Sequence, residues 1–245
     1  MAPTPEERKR TLEDSVTVIE ELDAAIPMIC SGLGSLVQTP DRPRNLDVAM
    51  QNLAPGFERL LKLTYILAAA HLRGDRPDWR VLKGHSHDLS GLLDSLVELV
   101  ADADGYATRP VVVADLEFLR SDEPMRSLLE VLSHFGKYGR YRRIDDLVKE
   151  QRVGADGEPS RRWEEIEQEL VWARPDVDEI VDSMDLLTPA TFETTAVLQR
   201  LARAITRMWT FGALGEENTI HYGVLSVFGR LDDDDLGQQL PSRPS

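Results

Sequence analysis

Three groups of residues have types and spacings that could do chemistry. Glu58 and Lys62 lie four apart inside an apolar run, so on a helix they share one face, in the order that favours an ion pair. Further on, Arg80, His85 and His87 stand together in the stretch WRVLKGHSHD. An imidazole titrates near neutral pH and can move a proton, and a guanidinium can stabilise charge on a phosphate. Together they are the equipment of metal-independent RNA cleavage, in which a histidine takes the 2′-hydroxyl proton. The third group is Lys137, Arg140, Arg142 and Arg143, interleaved with Tyr138 and Tyr141 and preceded by His134. Cations alternating with aromatics can hold phosphates and stack on bases.

Each group has a structural reading beside the chemical one. Glu58 and Lys62 could be a helix-face pair worth a few tenths of a kcal/mol, or a partly buried tie to the His87 helix. His87 could cap or pack a helix start. The basic run could be a solvated helix end whose cations complement the dipole, or could pair with Asp145, Asp146 or the acidic tail. A metal at His85 and His87 would need distant ligands, so no metal site is expected. Cys30 is the single cysteine, read as a small buried residue; it permits no internal disulfide and no cysteine metal site.

The elements that must position these residues have helical period almost throughout. Glu6 to about Val37 reads as a long helix with one apolar stripe, weakened near its end by Gly32 and Gly34. A second runs from about Asn45 to Leu72, and Pro55 should kink or split it. A third covers His87–Ala101, with Ser86 as N-cap and Asp88 in the first turn. A short helix is expected around Val113–Leu119, and another opens at Asp122-Glu123-Pro124 and reaches about Tyr138. Residues 152–160 read as a linker. Helices follow at about Arg161–Ala173, Val177–Met184, Ala190–Leu214 and Ile220–Arg230. Met184, Met208, Trp209 and Phe211 read as core or a packing seam; Trp209, Phe211, Val224, Val227 and Phe228 either close the core or make a dimer seam. From Asp232 the chain is polar and acidic, and reads as a disordered tail.

Composition narrows the function classes. With 245 residues the chain can bury a sizeable core, and its net charge of −15 disfavours non-specific attraction to nucleic acid or anionic membranes. Any RNA contact must therefore use a local basic patch. The start, MAPTPEERKR, has no apolar signal core, and the longest apolar run is too short to span a bilayer, so a cytoplasmic protein without a membrane partner is expected. No phosphate-binding glycine loop, dinucleotide fingerprint, zinc spacing or nucleophile elbow is present in the sequence, and no cofactor is expected.

Glu58, Leu61 and Lys62, followed by His87, Asp88, Leu89 and Leu92, resemble the two signature phrases of the HEPN family, helical domains of prokaryotic nucleotidyltransferase partners, toxins and defence ribonucleases. The resemblance covers about residues 15–138. Arg80 stands before His85 and His87 at the spacing that catalytic members show, although Val81 replaces the usual polar residue after the arginine. The chain is read as an all-α protein whose first part, residues 1–151, resembles a HEPN bundle; residues 152–231 are a helical extension that packs on it or forms a partner surface, and 232–245 are the tail. The resemblance implies a protein acting on or sensing RNA in a phage-defence or toxin–antitoxin setting, as a homodimer with composite sites or beside a protein partner. In a metal-independent endoribonuclease, Arg80 would stabilise phosphate charge and His85 or His87 would be the general base or acid; Glu58, Lys62, Lys137, Arg140, Arg142 and Arg143 would contribute to binding. The competing class is a non-catalytic helical binding or scaffold protein in which the same residues only cap and brace helices; Val81 and the net charge speak for it.

Overall fold

A computed structural model describes residues 5–37, 44–101, 103, 105–139 and 158–238. All regular structure among them is helical. The helices are α1 (Pro5–Leu36), α2 (Leu46–Arg73), α3 (Trp79–His85), α4 (Leu89–Ala101), α5 (Pro110–Ser121), α6 (Glu123–His134), α7 (Pro159–Trp172), α8 (Val177–Ser183), α9 (Leu187–Thr210) and α10 (Tyr222–Gly229). A π turn, Phe135–Gly139, continues α6, and 3-10 turns cover Glu216–His221 and Asp233–Asp235.

Local chemistry sets the bounds of α2. The Asn45 side chain accepts from Val48 N, Asp47 places negative charge in the first turn, and Gly74 ends the helix in the left-handed conformation. Pro55 was expected to kink or split this helix. It does not split it: α2 is continuous through Pro55, as α1 is through Pro27. A proline removes one backbone donor. Here the long contact between α1 and α2 offsets that loss. The two helices approach closely at glycines. A Cβ on Gly56 would come 2.8 Å from Ile29 Cγ1, and one on Gly32 would come 2.5 Å from Leu53 Cγ.

α2 also packs against α4, so the two form the hairpin that brings the Glu58 face toward the residues before α4. α6 rests on α4 and α7. α9 packs on α5, α7 and α10 and reaches α2, where Trp209 Nε1 donates to Thr64 Oγ1 at 3.0 Å, both buried. One core runs from Leu22 and Phe57 through Leu93 and Leu128 to Trp163, Leu201 and Phe228. The carboxy-terminal apolar residues help to close the core. Trp209 and Phe228 are fully buried, and Phe211, Val224 and Val227 pack against the core. Cys30 is half-buried against the same core.

Two expectations change. Met184 is not in the core but 90% exposed. The acidic run from Asp232 is held against α9 over residues 232–238: Arg203 donates to Asp233 Oδ1 at 2.5 Å and to Leu231 O at 3.0 Å, and Gln199 accepts from Gly237 N at 2.8 Å. Two partly buried arginines also brace the fold. Arg207 grips Asp115 of α5 at 2.9 Å and 3.0 Å. Arg44, before α2, reaches Glu167 of α7 at 2.6 Å, while Trp163 Nε1 donates to the other Glu167 oxygen at 3.0 Å.

Candidate functional site: a carboxylate–imidazole pair beside a basic turn

The helical repeat of α2 places Glu58 and Lys62 on one face, and Lys62 Nζ lies 2.5 Å from Glu58 Oε1. The second carboxylate oxygen, Oε2, is 2.9 Å from His87 Nδ1. Glu58 therefore bridges a lysine of its own helix and a histidine from the loop before α4. Burial pushes the Glu58 carboxyl up. Hydrogen bonds from Lys62 and His87, with their charges, outweigh that and hold it below its ordinary value.

The loop earns this contact through its backbone. α3 ends with Ser86 N donating to Lys83 O, and Ser86 adopts φ 38°, ψ −107°. An L-residue is strained there. The reversal carries His87 back onto Glu58. α4 then begins at Leu89, not His87, and Asp88, not Ser86, caps it, with Asp88 Oδ1 accepting from Gly91 N at 2.9 Å. Leu89 N donates to Ser133 Oγ at 3.0 Å, which ties the start of α4 to α6.

The π turn closes the other side. A Cβ on Gly136 would sit 3.5 Å from His87 Cβ, in ordinary contact, so this turn lies against His87. Lys137 and Tyr138 follow directly. Lys137 Nζ sits 4.8 Å from the centre of the Tyr138 ring, and that ring tilts against His134 at 5.2 Å. Tyr138 is exposed. Arg140, Arg142 and Arg143 lie outside the described residues.

The two histidines have different surroundings. His85 Nε2 is 3.4 Å from Ser95 Oγ, and its ring meets Tyr65 edge-on at 6.3 Å, so it docks α3 on the hairpin. Arg80 is exposed near the start of α3. It precedes His85 by five positions, about 140° around the helix. The described contacts join its side chain to neither histidine; its backbone N donates to Asp78.

A carboxylate on Nδ1 selects the tautomer with the proton on that nitrogen and leaves Nε2 with a lone pair. The His87 side chain is 37% exposed, and no described residue hydrogen-bonds its Nε2. That arrangement can accept a proton from a bound hydroxyl, with Lys62 and Lys137 to attract a polyanion. No group of three or more His, Cys, Asp or Glu side chains among the described residues is placed to hold a metal ion. No described helix is long and apolar enough to cross a membrane.

Sequence reasoning brought the α2 and α4 segments together but missed three contacts: the direct Glu58–His87 bond, the Ser133 tie and the approach of Gly136. It also missed the arginine braces. A readable signal existed for two of them, Arg203 and Arg207, which with Arg200 recur at helical spacing along α9. No family model matches the chain, and no curated protein or solved structure shows significant similarity to it.

Proposed function

We propose that this chain is a HEPN-like protein that cleaves single-stranded RNA without a metal ion, at the surface formed by Glu58, Lys62, His87, Lys137 and Tyr138. The observation that carries the reading is the 2.9 Å contact between Glu58 Oε2 and His87 Nδ1, on a side chain whose Nε2 no described residue hydrogen-bonds. His87 Nε2 takes the 2′-hydroxyl proton, the 2′-oxygen attacks the adjacent phosphorus, and the P–O5′ bond breaks. A 2′,3′-cyclic phosphate and a 5′-hydroxyl result, the latter protonated from solvent. Lys62 and Lys137 hold the backbone, Tyr138 offers a stacking face, and Arg140, Arg142 and Arg143, which follow in sequence, add positive charge to bind the RNA. Arg80 would serve a composite site across a homodimer, as the family resemblance implies, in a defence or toxin–antitoxin setting.

The second reading is a non-catalytic RNA-sensing or scaffold protein. The placement of Arg80 about 140° from His85 around α3, with no described contact to either histidine, favours it. A labelled RNA in excess chelator separates the two. Cleavage to a cyclic-phosphate end, lost when the RNA carries 2′-deoxy sugars, supports the first. Binding without cleavage by a concentrated sample, with affinity falling steeply as salt rises, supports the second.

A further inference from the structure

We propose that the face formed by the end of α7, by α8 and by the start of α9 docks a basic amphipathic helix of a partner protein. This goes beyond the RNA reading and does not depend on it. α8 is held by a small apolar cluster of Val171, Ile180 and Ala190, separate from the main core. Around that cluster large apolar side chains stand in solvent: Trp172 at 60% exposure, Met184 at 90%, with Val181, Leu186 and Leu187 beside them. Between α7 and α9 a cavity of about 240 Å³ opens here, its apolar wall made by Val171, Trp172, Leu186, Leu187 and Ala190. Such a recess receives an anchoring side chain of a partner. Met184 holds a left-handed backbone, φ 58°, although it packs on nothing in the core. That conformation caps α8, with Met184 N donating to Val181 O, while the exposed side chain adds nothing to the core and its flexible thioether suits a binding surface.

Charge decides what the partner is. Asp178, Glu179, Asp182 and Asp185 are exposed around the apolar centre. The sequence from Pro175 to Gln199 contains no lysine or arginine. Of the adjacent described cations, Arg174 is held by Asp176 and Glu193, and Arg44, on the polar wall of the cavity, is held by Glu167. An apolar centre inside an acidic rim complements a helix with an apolar stripe flanked by lysines or arginines. The same face of a second copy would set acid against acid, and nucleic acid would be repelled.

The test uses the full chain and a fluorescent amphipathic helical peptide of leucine and lysine, with a counterpart carrying glutamate for lysine. The lysine peptide is expected to bind in a salt-dependent way, and the glutamate peptide not to bind. Met184→Glu and Trp172→Ala, both at exposed positions, should each weaken binding by about tenfold, as loss of a central anchor does. Asp182→Lys should weaken it and flatten its salt dependence, whereas Glu130→Lys, an exposed acid on α6, should leave it unchanged. Equal binding to all variants would mean general attraction to an acidic protein and would overturn the proposal. So would no binding at all, or sedimentation showing a dimer that Met184→Glu dissolves.

Discussion

Two alanine substitutions on α1, two residues apart, should change stability in opposite directions. Gly32 and Gly34 both lie inside α1, where alanine is intrinsically better than glycine by about 0.5–1 kcal/mol. Their surroundings differ. A Cβ on Gly34 meets nothing within 4 Å, so Gly34→Ala should raise stability by about that amount. A Cβ on Gly32 would lie 2.5 Å from Leu53 Cγ, 2.8 Å from its Cδ2 and 3.1 Å from Ala49 O. Leu53 is fully buried and has no room to swing away, and a backbone carbonyl moves only with its helix. Overpacking of this kind costs about 1–3 kcal/mol. Subtracting the propensity gain leaves Gly32→Ala destabilised by about 0.5–2 kcal/mol. The propensity change is common to both variants, so the gap between them, about 1–3 kcal/mol, isolates the steric cost of the crossing. Urea unfolding at constant m reads that gap from the midpoints. Equal stability of the two variants, or a more stable Gly32→Ala, would refute the close approach of α1 to the helix that carries Glu58.

Other perturbations test the site and its supports. Ser86→Gly relieves an L-residue from φ 38°, ψ −107°, and should raise the unfolding free energy by about 0.5–2 kcal/mol in the same titration; a loss would mean that the serine side chain matters more than the strain. Arg44→Met leaves the buried Glu167 carboxylate without its cation and should cost about 3–5 kcal/mol, while Glu167→Gln in the same chain should recover part of it; an unchanged midpoint for the single variant would contradict the brace. Glu58, held below its ordinary value in the folded protein, contributes stability that is present above the unfolded carboxylate range and is lost as pH falls through its folded value. Glu58→Gln should therefore be less stable than wild type at neutral pH and converge with it in acid; parallel stability curves down to acid would rule out the contribution.

Much of the hairpin that carries the site was legible. The apolar spacing of α2 and α4 indicated two helices, and the resemblance of Glu58, Lys62 and His87 to the family's two phrases led to the expectation that they lie together. The errors have physical causes. Pro55 carries a local penalty that reads as a break, but the contact with α1 that offsets it is tertiary. Ser86 and Asp88 are both good N-cap residues two positions apart. The choice between them was made by the bond from Leu89 N to Ser133 and by the pull of Glu58 on His87, neither of which is local. Met184 follows helical spacing from Ile180, yet α8 covers only a satellite cluster and leaves the methionine in solvent. Asp233 looked like part of a solvated acidic run because its partner, Arg203, lies thirty residues away inside α9.

In the proposed function, His87, aligned by Glu58, is the proton-transfer group of an RNA-cleaving site. The most direct test compares single-turnover cleavage of a labelled single-stranded RNA by His87→Ala and His85→Ala in excess chelator, at matched folded fractions by circular dichroism. The two histidines flank one serine but face different partners, Glu58 for His87 and Ser95 with Tyr65 for His85. Cleavage by wild type and by His85→Ala, with none by His87→Ala, is the predicted result. Loss of cleavage in His85→Ala with retention in His87→Ala, or no cleavage by wild-type protein, would contradict the claim.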